Sequence, residues 1–229
     1  MADRLDKIRA DIDALDATLR ELLHTRLELV AQVAAAKADA GGIKLPIRPA
    51  REAKQMRVLA AYAQAHNVPL AALIAIWREL IGMALLQEGE FIIHAVPESE
   101  GLARAHFGSV LGRALDVRTD QIDATETLPY VSVVPLNMVA DKNEPVLGIL
   151  PVLGTPQAAL CGVAAQEMLD EPVTLIVGKT SDILPPDGVM LGHDLALLVG
   201  AVDAPQGCRQ LGIFEAPLTM PAPVIGDTA

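Results

Sequence analysis

The feature that most constrains this chain is the stretch from Asp3 to about Ala40, where the recurrence of apolar residues admits one long helix and little else. Leu5, Ile8, Ile12, Leu15, Leu19, Leu22, Leu29, Val33 and Ala36 follow a three-four spacing, which keeps one stripe of a helix buried. One member of the series is missing. After Leu22 the repeat requires an apolar residue, and the chain has Arg26. A guanidinium in a buried seam is costly unless an anion or acceptor compensates it, so Arg26 is either half of a structural ion pair or a ligand-binding group.

Lys37 lies close to three turns beyond Arg26, so the two cations share a face about 16 Å apart along the axis. They can flank one ligand. Arg9 lies about 25 Å before Arg26 and on a different face, too far to join that ligand from the same helix. If Arg9 belongs to the same pocket it must come from a second chain running antiparallel. The expectation is an interlocked homodimer with two equivalent pockets.

Charge is divided along the chain. Residues 1–90 hold twelve Lys and Arg against twelve Asp and Glu, while residues 91–229 hold six against seventeen, the source of the net charge of −11. The rear half should therefore repel nucleic acid and anionic membrane. In the front half the cations sit at a few helical positions, as a small anionic ligand requires. An apolar content of 52% excludes a disordered chain. No run reads as a membrane span, and the opening Met-Ala-Asp-Arg-Leu-Asp has no signal-peptide core, so the expected location is cytoplasmic. Cys161 and Cys208 read as reduced thiols. His24, His66, His94, His106 and His193 have no ligand spacing, so no metal is expected.

Gly41-Gly42 should close the first helix, with an irregular connection over Ile43 to Arg48. Pro49 then opens a second helix, whose apolar face is Met56, Leu59, Ala60 and Ala63 and which stops at His66-Asn67. A third runs from Pro69 to about Glu88 with Leu70, Leu73, Ile74, Trp77, Leu80, Ile81, Ala84 and Leu85 at core spacing. Trp77 reads as a core residue. Three helices cannot bury so long a stripe alone, which again points to a dimer.

The segments Leu5-Asp-Lys-Ile-Arg9, Ile12-Asp-Ala-Leu-Asp16, Leu22-Leu-His-Thr-Arg26, Lys37, Pro49-Ala-Arg51-Glu52 and Trp77-Arg-Glu-Leu-Ile81 resemble the all-helical, AroQ-type chorismate mutases over roughly residues 3–90. The resemblance implies a cofactor-free rearrangement of chorismate to prephenate in phenylalanine and tyrosine synthesis, the shikimate pathway's continuation. It implies that Arg26 and the partner's Arg9 clamp the substrate carboxylates, that Lys37 donates to the ether oxygen and that Glu52 accepts from the ring hydroxyl. Arg51 supports the same site or pairs with neighbouring acids. The family's frequent serine falls at Ala84 and its ether-facing glutamine at Glu88, although a one-residue slip would place Gln87 there. Helical period favours Glu88, one turn beyond Ala84. Arg48 stands where many relatives have an acid. A glutamate facing an ether oxygen helps only when protonated, so activity should fall as pH rises and Glu88→Gln should flatten that loss.

From Phe91 the periodicity changes. Phe91 to Val96, Tyr130 to Leu136, Val146 to Leu153, Val173 to Val177 and Leu195 to Val202 read as strands, with helices near Glu98 to Ala114 and Pro156 to Leu169. This predicts an α/β layer domain over 91–229 behind a helical domain over 1–90, α+β overall, with an extended proline-rich tail from Pro217 to Ala229. His106-Phe-Gly108, Leu147-Gly-Ile-Leu-Pro151 and Val173-Thr-Leu-Ile-Val177 resemble pieces of prephenate dehydratase domains, which have a periplasmic-binding-type fold. Leu175 and Ile176 replace the arginine and aromatic expected after Thr174, so the resemblance implies a degenerate domain, a structural or ligand-sensing appendage. No Gly-rich phosphate loop, Ser-His-Asp arrangement or paired-carboxylate motif argues for other chemistry. The alternatives are a bifunctional mutase and dehydratase, and a non-catalytic regulatory protein attached to a shikimate-pathway enzyme.

Overall fold

The structure, a computed structural model, describes residues 2–39, 45–108, 115–117, 128–165, 167–178, 188–192 and 194–218. The Gly41-Gly42 turn, His193, the end of the helix expected over 98–114 and the tail beyond Leu218 lie outside them.

Three helices open the chain, α1 (Ala2–Asp39), α2 (Pro49–His66) and α3 (Leu70–Glu88). Pro49 occupies the first turn of α2, where its missing N–H is harmless, and Asn67 closes that helix in the left-handed conformation. At 38 residues α1 is about 57 Å long, twice the length of α3, against which it packs. The rear of α1 is therefore partly covered, at Arg26, Leu27, Val30 and Ala34, and its front is not. Leu5, Ile8, Ile12, Leu15 and Leu19 are all about half exposed or more.

By length and apolar composition α3 could cross a bilayer, which corrects the reading that no segment could. Its apolar character has another explanation in the fold: α3 touches α1, α2 and α4 (Glu100–Phe107), and Leu85 enters the main core. The crossing of α3 with α4 is close. A Cβ on Gly82 would stand 2.4 Å from the Phe107 carbonyl oxygen, so only glycine fits there.

The rest of the chain is mostly strand. β1 (Ile92–Ala95), a 3-10 turn (Pro97–Ser99), α4, β2 (Leu115–Val117), β3 (Tyr130–Pro135), α5 (Leu136–Val139), β4 (Val146–Leu150) and β5 (Ala158–Gly162) make a first, mixed sheet in the order β2-β1-β3-β5-β4. β1 runs parallel to β2 and β3, while β5 is antiparallel to β3 and β4. β6 (Pro172–Gly178), β7 (Val189–Gly192), β8 (Leu195–Val199) and β9 (Cys208–Glu215) form a second, antiparallel sheet in the order β7-β8-β6-β9.

The helix expected over Pro156 to Leu169 is thus the strand β5, a correction with a clear cause. All five residues of β5 are buried, because α3 and α4 cover one face of the first sheet and the second sheet covers the other. A strand buried on both faces loses its alternation. β2, β7 and β9 were not expected either.

Two apolar cores follow from this layering. Leu85, Phe107, Val131, Val133 and Leu160 fill the layer between helices and first sheet, together with Leu45 and Ile47 from the α1–α2 connection. Val134, Ile149, Cys161, Leu175, Leu197 and Phe214 fill the layer between the sheets. Cys161 is fully enclosed, and burial, with Glu144 nearby, pushes its thiol up to about 12, so it is a protonated core group. The sheets approach closely at Gly212, where a Cβ would stand 2.2 Å from the Val146 carbonyl oxygen.

Candidate active site

Helical repeat assembles most of the site. Arg26, Val30, Val33 and Lys37 repeat at three to four residues along the cavity-facing side of α1, and Trp77, Ile81, Ala84 and Glu88 do so along α3. Arg48, Arg51, Glu52 and Gln55 occupy the start and first turns of α2. These three rows enclose a cavity of about 380 Å³.

The structure therefore brings together Arg26, Lys37, Arg48, Arg51, Glu52, Ala84 and Glu88. Gln87 is exposed and does not line the cavity, whereas Glu88, half-buried, does. Arg9 is not in the cavity of its own chain; it is exposed and meets Asp6 at 3.4 Å on the uncovered half of α1. Trp77, expected in the core, is half-buried and forms part of the cavity wall. Gln55 was not anticipated, although it follows Arg51 and Glu52 at helical spacing.

Charge is unevenly matched here. Lys37 Nζ donates to Glu88 Oε2. Arg78 Nη1 donates to Glu52 Oε2 at 2.5 Å from outside the cavity, with the Arg78 side chain only 5% exposed. Arg48 is bonded to Glu167, 119 residues later. Among the described residues this leaves Arg26 and Arg51 without an acidic partner. Arg26 Nη1 instead donates to the Leu80 carbonyl at 2.9 Å, a bond that orients the guanidinium and leaves its charge uncompensated. Burial first, and the neighbouring Arg51 charge second, lower the Arg26 pKa from its ordinary value. Two crowded cations in a half-enclosed cavity favour an anion.

Behind the cavity lies a buried polar cluster that sequence spacing could not reveal. His106 Nε2 is 3.9 Å from Glu52 Oε2, and His106 lines two smaller cavities together with Arg78. Burial first, then the Arg78 charge, push the His106 pKa well below its usual value, so the ring is neutral when folded. The unfolded chain takes up a proton near pH 6.5 and the folded chain does not. Stability from this source is full above about pH 6.5 and is lost as pH falls below it. His106→Gln should shrink the drop in thermal midpoint between about pH 7 and pH 5, as melting curves across that range would register.

Among the described residues no group of three or more His, Cys, Asp or Glu could hold a metal ion. The arrangement can bind and orient a small anion, with Lys37 and Glu88 facing the cavity from two different helices. Neither the curated proteins nor the solved structures give a match to this chain. Its helical front does find one: residues 8–89, which hold every side chain of the cation-lined cavity, match the family model of chorismate mutase type II.

Proposed function

We propose that this protein is a chorismate mutase that converts chorismate to prephenate, acting as a cytoplasmic homodimer in phenylalanine and tyrosine synthesis. The reading is carried by one observation: the segment matching chorismate mutase type II encloses a cavity in which Arg26 and Arg51 lack acidic partners among the described residues. The rearrangement breaks an ether bond and forms a carbon–carbon bond in one pericyclic step. It needs no nucleophile, only a held conformer and relief of the charge growing on the ether oxygen.

Arg26 and the partner's Arg9 clamp the carboxylates, with Arg48 and Arg51 beside them in the cavity, where a guanidinium fork supplies charge and orientation together. Lys37 donates to the ether oxygen. Glu88, on the facing helix, adds a second donor there when protonated. Glu52 accepts from the ring hydroxyl, held by Arg78 on its other side. Ala84 offers no hydroxyl to the substrate.

The second copy is supported by the half-exposed stripe of α1, which a monomer leaves in water. Pairing two such helices antiparallel would cover it and carry each Arg9 towards the partner's Arg26. Subunit complementation tests this. Arg9→Ala and Arg26→Ala proteins should each be nearly inactive, and co-refolded in equal amounts they should regain about a quarter of wild-type turnover, because each mixed dimer has one intact site. No recovery would remove Arg9 from the site.

Residues 91–229 lack dehydratase chemistry in this reading. The hydroxyl of Thr174 is consumed internally, donating to the Gly200 carbonyl at 2.9 Å and accepting from the Val202 amide at 3.1 Å. Leu175 and Ile176 are fully buried in two different apolar clusters. The protein should not convert prephenate to phenylpyruvate.

A further inference from the structure

We propose that Glu167, in the strand-rich half, is a positioning residue of the mutase site that fixes Arg48 and the first turn of α2 against the substrate cavity. This rests on the mutase reading above. A helix begins with amide groups that have no partner within it. The residue at the cap position of α2 is Arg48, which makes no side-chain cap bond. Glu167 does that work from far away in sequence: its Oε2 accepts from the Ala50 amide at 2.8 Å and its Oε1 from Arg48 Nε at 2.7 Å.

The environment of Glu167 argues that these two bonds define its position. Its side chain is 8% exposed, yet the irregular segment carrying it leaves Val163 and Met168 largely in water. A carboxylate at this point also meets the positive end of the helix dipole. With Nε held by Glu167, the two terminal nitrogens of Arg48 have no partner among the described residues and remain for a substrate carboxylate. Arg51 and Glu52 lie on the same first turn, so the bond to Ala50 seats them too. The strand-rich half thereby shapes the cation cluster.

Steady-state kinetics with chorismate, alongside melting curves, test this in the full chain. Glu167→Ala should raise KM on the order of tenfold, the lower end of the value of one charge-assisted hydrogen bond, with kcat little changed. Glu167→Gln, which keeps one acceptor of the two, should recover part of that loss. In an Arg48→Ala background the effect of Glu167→Ala on KM should shrink to less than half on a logarithmic scale. Asp170→Ala breaks the 3.1 Å ion pair from the strand-rich half to Lys54 of the same helix, outside the cavity, and should leave KM unchanged.

An unaltered KM in Glu167→Ala, an equal effect in both backgrounds, or an equal rise from Asp170→Ala would overturn the assignment while the mutase reading stands. A wild-type protein with no turnover overturns both. Should Glu167→Ala fail to fold, the same comparisons are made with Glu167→Gln, and the same results decide.

Discussion

Replacing Arg26 by alanine is expected to lower kcat/KM for chorismate on the order of 10²–10³-fold, the usual loss when one preorganised charged donor is removed from a closed site. The effect should be much larger than any loss of stability. Folding loses the bond from Arg26 Nη1 to the Leu80 carbonyl, which contributes about 1 kcal/mol, and gains relief from the Arg51 charge. Arg26→Lys should be intermediate, because it retains charge and loses the fork. Progress curves at saturating and limiting chorismate, with a melt of each variant, provide the check. A variant within a few-fold of wild type would mean that the cavity beside Arg26 is not where the substrate sits.

Glu88→Gln should raise kcat/KM for chorismate. In the free site Glu88 accepts from Lys37 and lines the cavity from the facing helix. A carboxylate oxygen facing the ether oxygen opposes the negative charge that grows there, whereas an amide N–H donates to it. Glutamine has nearly the same shape and supplies that donor, so the variant should turn over chorismate faster than the wild type, as initial rates at limiting substrate would register. If the variant is no faster, the donor at the bridge is another group.

The helical front was legible because its periodicity is strict. The interruption at Arg26, answered by Lys37 three turns on, falls where α1 lines the cavity. Period also separated Glu88 from Gln87, which differ by about 100° around α3. Four strands of the second half escaped, three of them, β5, β9 and β7, for physical reasons. β5 is Ala-Ala-Leu-Cys-Gly, small and buried on both sides, so it has neither a strand's alternation nor a helix's stripe. β9 contains a bulge opposite Leu175 and Ile176, which puts Leu211 and Phe214, three residues apart, on one face and breaks the period of two. β7 has a similar shift beside Met190.

The partners of the site were harder still. Arg78, His106 and Glu167 are ordinary polar letters in the sequence, and only packing across 26 to 119 positions makes them meet Glu52 and Arg48. Arg78 could have been suspected, since it lies among apolar neighbours on α3. Nothing local distinguishes Glu167 from the solvated acids around it.

The apolar layer that joins Leu45, Ile47 and Leu85 to Phe91, Ile93 and Val131 crosses the point where helix gives way to strand. A polypeptide severed there would present a wet hydrophobic wound on its catalytic fragment and lose the carboxylate that seats the start of α2. The junction near residue 90 marks a change of architecture in the middle of a shared interior, and evolution could not discard the later half without first rebuilding the earlier one.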